Sequence, residues 1–167
     1  YGSKDTADKT NILFSMSTDK GESWSEAIQV NQFSGNCLDG DSTTEGAVPA
    51  VGPDGEVYVA WGFNEKIYFN SSLDGGKTWS TTNVEVANQP GGWDINIPGL
   101  QRANGMPVTV CDVSDGPNRG TIYVNWVDDR KGNFDVWFSK SSDKGKSWSK
   151  PKKINDDKKQ HLETICN

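Results

Sequence analysis

The sequence predicts an all-β chain folded as part of a β-propeller, about two complete four-stranded antiparallel blades with a partial blade at each end. Three observations carry this. The phrase Ser-x-Asp-x-Gly-x-x-Trp occurs three times, as STDKGESW (17–24), SLDGGKTW (72–79) and SSDKGKSW (141–148). The segments entering the three copies, NILFSMSTD, KIYFNSSLD and DVWFSKSSD, superimpose without gaps, matching Ile12, Ile67 and Val136, then Phe14, Phe69 and Phe138. Finally, 18 Gly, 7 Pro and 7 Trp in 167 residues, with β-branched and aromatic runs and no sustained 3.6-residue period, suit short strands joined by tight turns.

Each unit reads as a meander of strands A to D, with the repeated phrase as the C–D turn. The chain opens inside strand C of a partial blade (1–31). In the next blade (47–87), VPAVG (48–52) is strand A, Pro-Asp-Gly (53–55) the A–B turn and EVYVAW (56–61) strand B. Pro is tolerated where a strand starts. GFNEK (62–66) is the B–C loop, followed by strand C and the second phrase. The third unit (106–155) repeats this order: MPVTVC (106–111), SDGPNRG (114–120), TIYVNW (121–126), DDRKGNFD (128–135), strand C and the third phrase. ETICN aligns with strand A of the preceding unit, so 161–167 reads as the start of another blade, and Cys166 matches Cys111 in that alignment. The repeated tryptophans are 55 and 69 residues apart, and four short strands per repeat is the signature of propeller blades. Propellers close with at least four blades, so the remaining blades, or neighbouring chains, are expected at both open edges.

Bulk properties exclude several classes. The net charge of −6 and scattered lysines repel phosphate backbones, which argues against nucleic acid. No stretch approaches the ~20 apolar residues of a membrane span. His161 is the only histidine and Cys37, Cys111 and Cys166 are scattered, which argues against zinc. Three cysteines leave one thiol free or paired elsewhere. The polar start at Tyr1 has no leader-like pattern, so a signal peptide would lie outside this sequence.

Within each phrase, Asp19, Asp74 and Asp143 are expected to accept backbone N–H bonds from two or three residues on, closing the turn. Gly21, Gly76 and Gly145 supply a conformation costly for other residues. Trp24, Trp79 and Trp148 lay their rings over the blade, and Ser17, Ser72 and Ser141 reach the same loop. These phrases resemble the Asp-boxes, or BNR repeats, of the sialidase (neuraminidase) superfamily of β-propellers, and the resemblance covers nearly the whole chain. It implies that the boxes are structural, on the outer rim and facing away from any active site.

Meander topology puts the B–C and D–A connections on the face opposite the boxes. The D–A loops run from about Gln32 to Gly46 and from Asn88 to Gly105, and loops of that length are functional or disordered more often than not. Candidate ligand-binding residues there are Asp41, Glu45, Trp93 (an exposed-looking ring in GGWD), Asp94 and Arg102. The B–C loops add Asn64, Glu65, Asp128, Asp129 and Arg130. Acids, arginine and tryptophan are the groups that bind or cleave sugars. The alternative is a solvated loop face, with Asp128 and Arg130 in a local salt bridge. Trp61 and Trp126 either line a stacking surface or pack between blades. Asp39, Asp41 and Glu45 in DGDSTTE offer carboxylates at a spacing that admits calcium, without the glycine of an EF-hand loop; no cofactor is required.

The resemblance implies, for a catalytic member, three arginines on the substrate carboxylate, a Tyr–Glu nucleophile, an Asp acid/base and an Arg-Ile-Pro opening of a strand A. The corresponding positions here read Ala47-Val48-Pro49 and Gly105-Met106-Pro107, without the arginine. Arg119 falls in an A–B turn, leaving Arg102 and Arg130 as the arginines on the loop face; Tyr58, Tyr68 and Tyr123 sit in packing positions. Three functions stay open: a secreted or cell-surface propeller that recognises a glycan or glycoprotein, non-catalytic in this segment; part of a secreted exo-sialidase or related glycoside hydrolase; and a structural segment that assembles through its edges.

Overall fold

The computed structural model describes residues 8–38 and 40–156, all strand, turn or loop. Strand β1 (Lys9–Thr10) pairs with β4 (Gly35–Asn36), and β2 (Leu13–Phe14) with β3 (Ile28–Gln29). The second sheet orders β5 (Glu45–Val51), β6 (Val57–Phe63), β7 (Lys66–Ser72) and β8 (Val84–Asn88) antiparallel. A short ladder, β9 (Asp94–Ile95) with β10 (Ala103–Asn104), follows. The third sheet orders β11 (Val108–Cys111), β12 (Ile122–Asp128), β13 (Asp135–Ser141) and β14 (Lys152–Lys153). The two four-stranded meanders are the expected blades. The long D–A loops carry strand pairing: β4 of the first pairs with β1 in the partial blade, and β9–β10 is a ladder internal to the second. The expected strand at 161–167 lies outside the described residues.

Strand alternation explains how the sheets stack. In β6, Tyr58 and Ala60 join Ile122, Val124, Trp126 and Trp137 of the third sheet in one core. Val59 and Trp61, on the other face, join Ile12 and Val30, which flank β2 and β3 in the partial blade, in another. The middle blade is therefore apolar on both faces, which is why VYVAW is buried throughout. Trp61 and Trp126 are each 1% exposed and serve as packing between blades, one of the two alternatives read from sequence. Polar bonds cross the same interfaces: Asn70 Nδ2 donates to Val30 O at 2.8 Å, and Ala60 N donates to Thr109 Oγ1 at 3.1 Å.

The boxes share one wiring. The Ser hydroxyl donates to Asp Oδ1 at 2.7 Å in all three copies and accepts the Gly N–H at 2.7, 2.8 and 2.9 Å. Asp Oδ1 accepts the backbone N–H of Ser23, Thr78 or Ser147 at 2.9 Å, four residues on rather than the two or three expected, and Oδ2 accepts the hydroxyl of that same residue. The glycines have φ of +93°, +89° and +85°.

Beyond the turn, the second and third boxes are seated on the preceding blade. Trp79 packs edge-on against Phe14 at 5.2 Å, and Trp148 against Phe69 at 5.0 Å. A Cβ on Gly76 would lie 2.3 Å from Phe14 Cε1, and one on Gly145 2.0 Å from Phe69 Cε1. The glycine is thus required twice, for its φ and for the ring beneath it. Lys144, the residue before Gly145, pairs at 2.7 Å with Glu56, whose side chain is 3% exposed in the A–B turn of the middle blade.

Candidate functional site

The loop face opposite the boxes is organised around the segment 89–94. Between β6 and β7, Phe63 pairs with Lys66, so the B–C connection is a two-residue hairpin of Asn64 and Glu65 rather than five residues. Both are left-handed, with φ of +48° and +57°, as such a tight turn requires. Neither residue favours that conformation as glycine would, and Asp41 helps to hold it. Its backbone O accepts Asn64 N at 2.9 Å, its Oδ2 accepts Glu65 N at 2.5 Å, and its Oδ1 accepts Trp93 N at 3.1 Å. One carboxylate therefore fastens the 32–46 loop, the B–C hairpin and the 88–105 loop together. Glu65 completes the joint, its backbone O accepting Gln89 N at 2.7 Å and its Oε1 accepting Gly91 N at 3.2 Å.

Trp93 corrects the sequence reading of an exposed ring. It is 1% exposed, donates Nε1–H to Thr43 O at 3.1 Å, and fills the space that Gly62 leaves, where a Cβ would stand 3.1 Å from the indole. The cause is tertiary: GGWD looks like a surface loop, but the strand opposite it lacks a side chain.

A second cluster lies on the other side of 89–94. Asp128 is buried at the end of β12 and accepts Trp126 Nε1–H at 2.7 Å, Arg130 Nε–H at 2.8 Å and Arg130 Nη2–H at 2.5 Å. This is the local salt bridge that the sequence offered as an alternative. Arg130 also donates to Asn88 O at 2.7 Å and stacks 4.5 Å from the Trp137 ring, so its guanidinium is fixed on three sides. Asp129 is exposed beside Gly91.

The structure thus gathers Asp41, Glu65 and Trp93 in one cluster and Asp128, Asp129 and Arg130 in another. Asp94 and Arg102 are exposed on the β9–β10 arm, and Glu45 is half-buried in β5, paired with Gly62. Asp39 lies outside the described residues, among which no group of three or more His, Cys, Asp or Glu is placed to hold a metal. Cys37 and Cys111 are free thiols, and Cys166 lies outside the described residues.

A cleft of about 580 Å³ opens beside the β9–β10 arm. Ile95, Leu100, Phe134 and Val136 supply apolar walls, with Arg102, Asn104, Asn125 and Asn155 among them. Asn125 and Asn155 escaped the sequence reading. Asn155 has a traceable signal, because it and Asn31 both fall seven residues after a box tryptophan. Asn31 Oδ1 accepts Ile12 N at 2.7 Å and Asn155 Oδ1 accepts Val136 N at 2.9 Å, so the same side chain clamps the start of strand C in both blades. Gln89 gave no such signal; it is fully buried and donates to Gly105 O at 2.7 Å and Val127 O at 3.1 Å.

Electrostatics separates the two faces. The carboxylates held far below their usual range are Asp19, Asp74 and Asp143, each pushed down to about 2, chiefly by the hydroxyl four residues on. They are locked ionised by the turn, which suits structure and not proton exchange.

No protein-family model matches the chain, and no curated protein matches it. Solved structures do. The chain is similar to the NanB sialidase of Streptococcus pneumoniae in complex with 2-[(3-chlorobenzyl)ammonio]ethanesulfonate, with a TM-score of 0.55 and 20% identity over 86% of this chain. It is similar also to a structure described as NanB plus optactamide, with a TM-score of 0.53 and 19% identity over 87% of this chain. In each case it spans 19% of the neighbour's length. The fold is sialidase-like, a partial propeller.

Proposed function

We propose that this segment belongs to an extracellular propeller and recognises carbohydrate at its loop face without cleaving it. The observation that carries the reading is how the facing carboxylates are used. Asp41 is engaged by backbone N–H groups, and Asp128 by Trp126 and Arg130. Most glycoside hydrolases use two carboxyls that exchange protons or bond at the glycosidic centre, and sialidases a tyrosine with an acidic partner; Asp41 and Asp128 are committed to holding the loops instead. The cleft instead offers apolar walls for a sugar-ring face, amides for hydroxyls, and Arg102 for an acidic sugar. No cofactor enters this reading.

The test is a titration of the isotope-labelled chain with 3′-sialyllactose and with lactose, followed by amide NMR shifts. Saturable shifts over 95–108 and 125–136 are expected, with Arg102→Ala weakening the acidic ligand about tenfold, as loss of one charge-assisted contact does. Absence of saturable shifts with both sugars refutes recognition. Release of sialic acid by the chain refutes the non-catalytic part.

The likeness to a solved sialidase favours a second reading, in which the full protein is a secreted exo-sialidase or related hydrolase and this segment is scaffold within it. Hydrolysis of a fluorogenic sialoside by the full-length protein, unchanged by Asp94→Asn and Asp129→Asn at exposed positions, is its expected signature.

A further inference from the structure

The β9–β10 arm lines the cleft with Ile95, Arg102 and Asn104, and its shape is set at two ends. At the tip, Leu100 N donates to Ile97 O at 3.0 Å across Pro98 and Gly99, the latter at φ +86°, the form of a type II turn. At the root, Gly105 N donates to Trp93 O at 2.8 Å, the pair next to Asp94–Asn104. Two short strands alone are marginal in water, so the pose of the arm depends on what holds that root. Gly105 is held by the buried Gln89, whose Nε2 donates to its carbonyl. Trp93 is held by its indole on Thr43 and by its backbone N–H, which goes to Asp41 Oδ1. The fit is close, since a Cβ on Gly92 would lie 2.3 Å from Asp41 Cγ.

We propose that Asp41 is a positioning residue for ligand recognition: by pinning Trp93 it fixes where Arg102 and Asn104 stand beside the cleft. For the identity of the ligand this rests on the carbohydrate reading, but the pinning itself does not. Both side-chain oxygens of Asp41 are taken by backbone N–H groups, those of Glu65 and Trp93, so it acts through the arm rather than by contact. Two donors on separate oxygens call for a carboxylate, because an asparagine would meet one of them with its own NH2. Leverage sets the scale. Arg102 stands three residues beyond Gly105, roughly 10 Å at about 3.3 Å per residue. A tilt of about 10° at the root then moves it by roughly 1.7 Å, beyond the ~0.5 Å that a hydrogen-bonding site tolerates.

The test compares the isotope-labelled chain with Asp41→Ala and Asp41→Asn. Without sugar, Asp41→Ala should speed amide hydrogen exchange at Trp93 and Gly105 at least about tenfold and leave the β12–β13 ladder unchanged. That ladder also serves as the control for folding. Asp41→Asn keeps one acceptor and should fall between, so it carries the test if alanine unfolds the chain. With 3′-sialyllactose, Asp41→Ala should weaken binding about tenfold and add little to Arg102→Ala, because a misplaced arginine and a missing one lose the same contact. A merely structural role would add the two losses in full. Unchanged exchange at the root overturns the pinning, whatever sugar binds. Additive losses with Arg102→Ala overturn the positioning role. If the parent chain binds neither 3′-sialyllactose nor lactose while root exchange accelerates as expected, the carbohydrate reading falls and the pinning stands.

Discussion

Replacing the box glycines by alanine separates the two demands on them, because among the described residues nothing lies beneath one of the three boxes. At Gly21 the cost is backbone alone. A Cβ-bearing residue at φ +93° pays the left-handed penalty, roughly 1–2 kcal/mol, and meets no neighbour. At Gly145 the same penalty applies at φ +85°, and the new methyl lands 2.0 Å from Phe69 Cε1. Phe69 is 1% exposed, stacked on Tyr58 and held by Trp148, so it yields poorly. Overpacking of this kind costs about 1–3 kcal/mol. The expected loss is therefore roughly 1–2 kcal/mol for Gly21→Ala and about 2–5 kcal/mol for Gly145→Ala, with Gly76→Ala near the latter. Urea unfolding followed by tryptophan fluorescence reads the differences as shifts in midpoint. A double-mutant cycle with Phe69→Leu gives the direct test, because trimming the ring should recover part of the Gly145→Ala loss and leave Gly21→Ala untouched. Equal losses at Gly21 and Gly145, or zero coupling to Phe69, would refute the claim that the box seats on the neighbouring blade.

Two further predictions concern charge. Burial alone would raise the Glu56 carboxyl, but hydrogen bonds from Lys144 and from backbone N–H groups outweigh it and leave the group below its usual 4.5. A lowered folded value gives stability that is present above pH 4.5 and lost as the pH falls through the folded value. Lys144→Met should therefore destabilise the fold near neutrality, and the deficit should shrink in acid as Glu56 protonates; a pH-independent deficit would count against the latch. The box carboxyls Asp19, Asp74 and Asp143 should titrate together near 2 in carbon-detected NMR, their turns stable above pH 3.8 and loosening as the pH falls toward 2. Titration at the ordinary value in any one box would show that its hydroxyl and N–H bonds do not persist in solution.

How much of this was legible in the sequence depends on the range of the interaction. The strands and boxes were readable because alternation and turn closure act within about ten residues, and repetition in three copies exposed the pattern. What the box touches was not readable, because Phe14 and Phe69 lie in other blades, far from Gly76 and Gly145 in sequence. Trp93 illustrates the same limit: its burial depends on Gly62, a residue the sequence offered only as loop. Asn64 and Glu65 hid a two-residue hairpin because neither is the glycine that announces one, and Asp41 compensates from over twenty residues away. The candidate list for the loop face divides in the structure between two clusters, with Asp94 and Arg102 on the β9–β10 arm and Glu45 in β5 belonging to neither. It did not distinguish groups that hold the loops from groups that face the cleft, since both kinds are acids, amides and arginines.

The repeated phrase therefore has two physical causes, and the first box shows that they are separable. Asp19 makes the same bonds as Asp74 and Asp143 although Trp24 covers no ring among the described residues, so turn closure does not depend on docking. Ser, Asp and the distal hydroxyl belong to the turn; Trp belongs to the neighbour, and Gly to both. Turn closure alone gives no reason for a tryptophan that is two-thirds exposed, since an isolated indole in water contributes nothing to a β-turn. Its presence in the first box argues that this edge is built to cover an aromatic ring, as the other two boxes do.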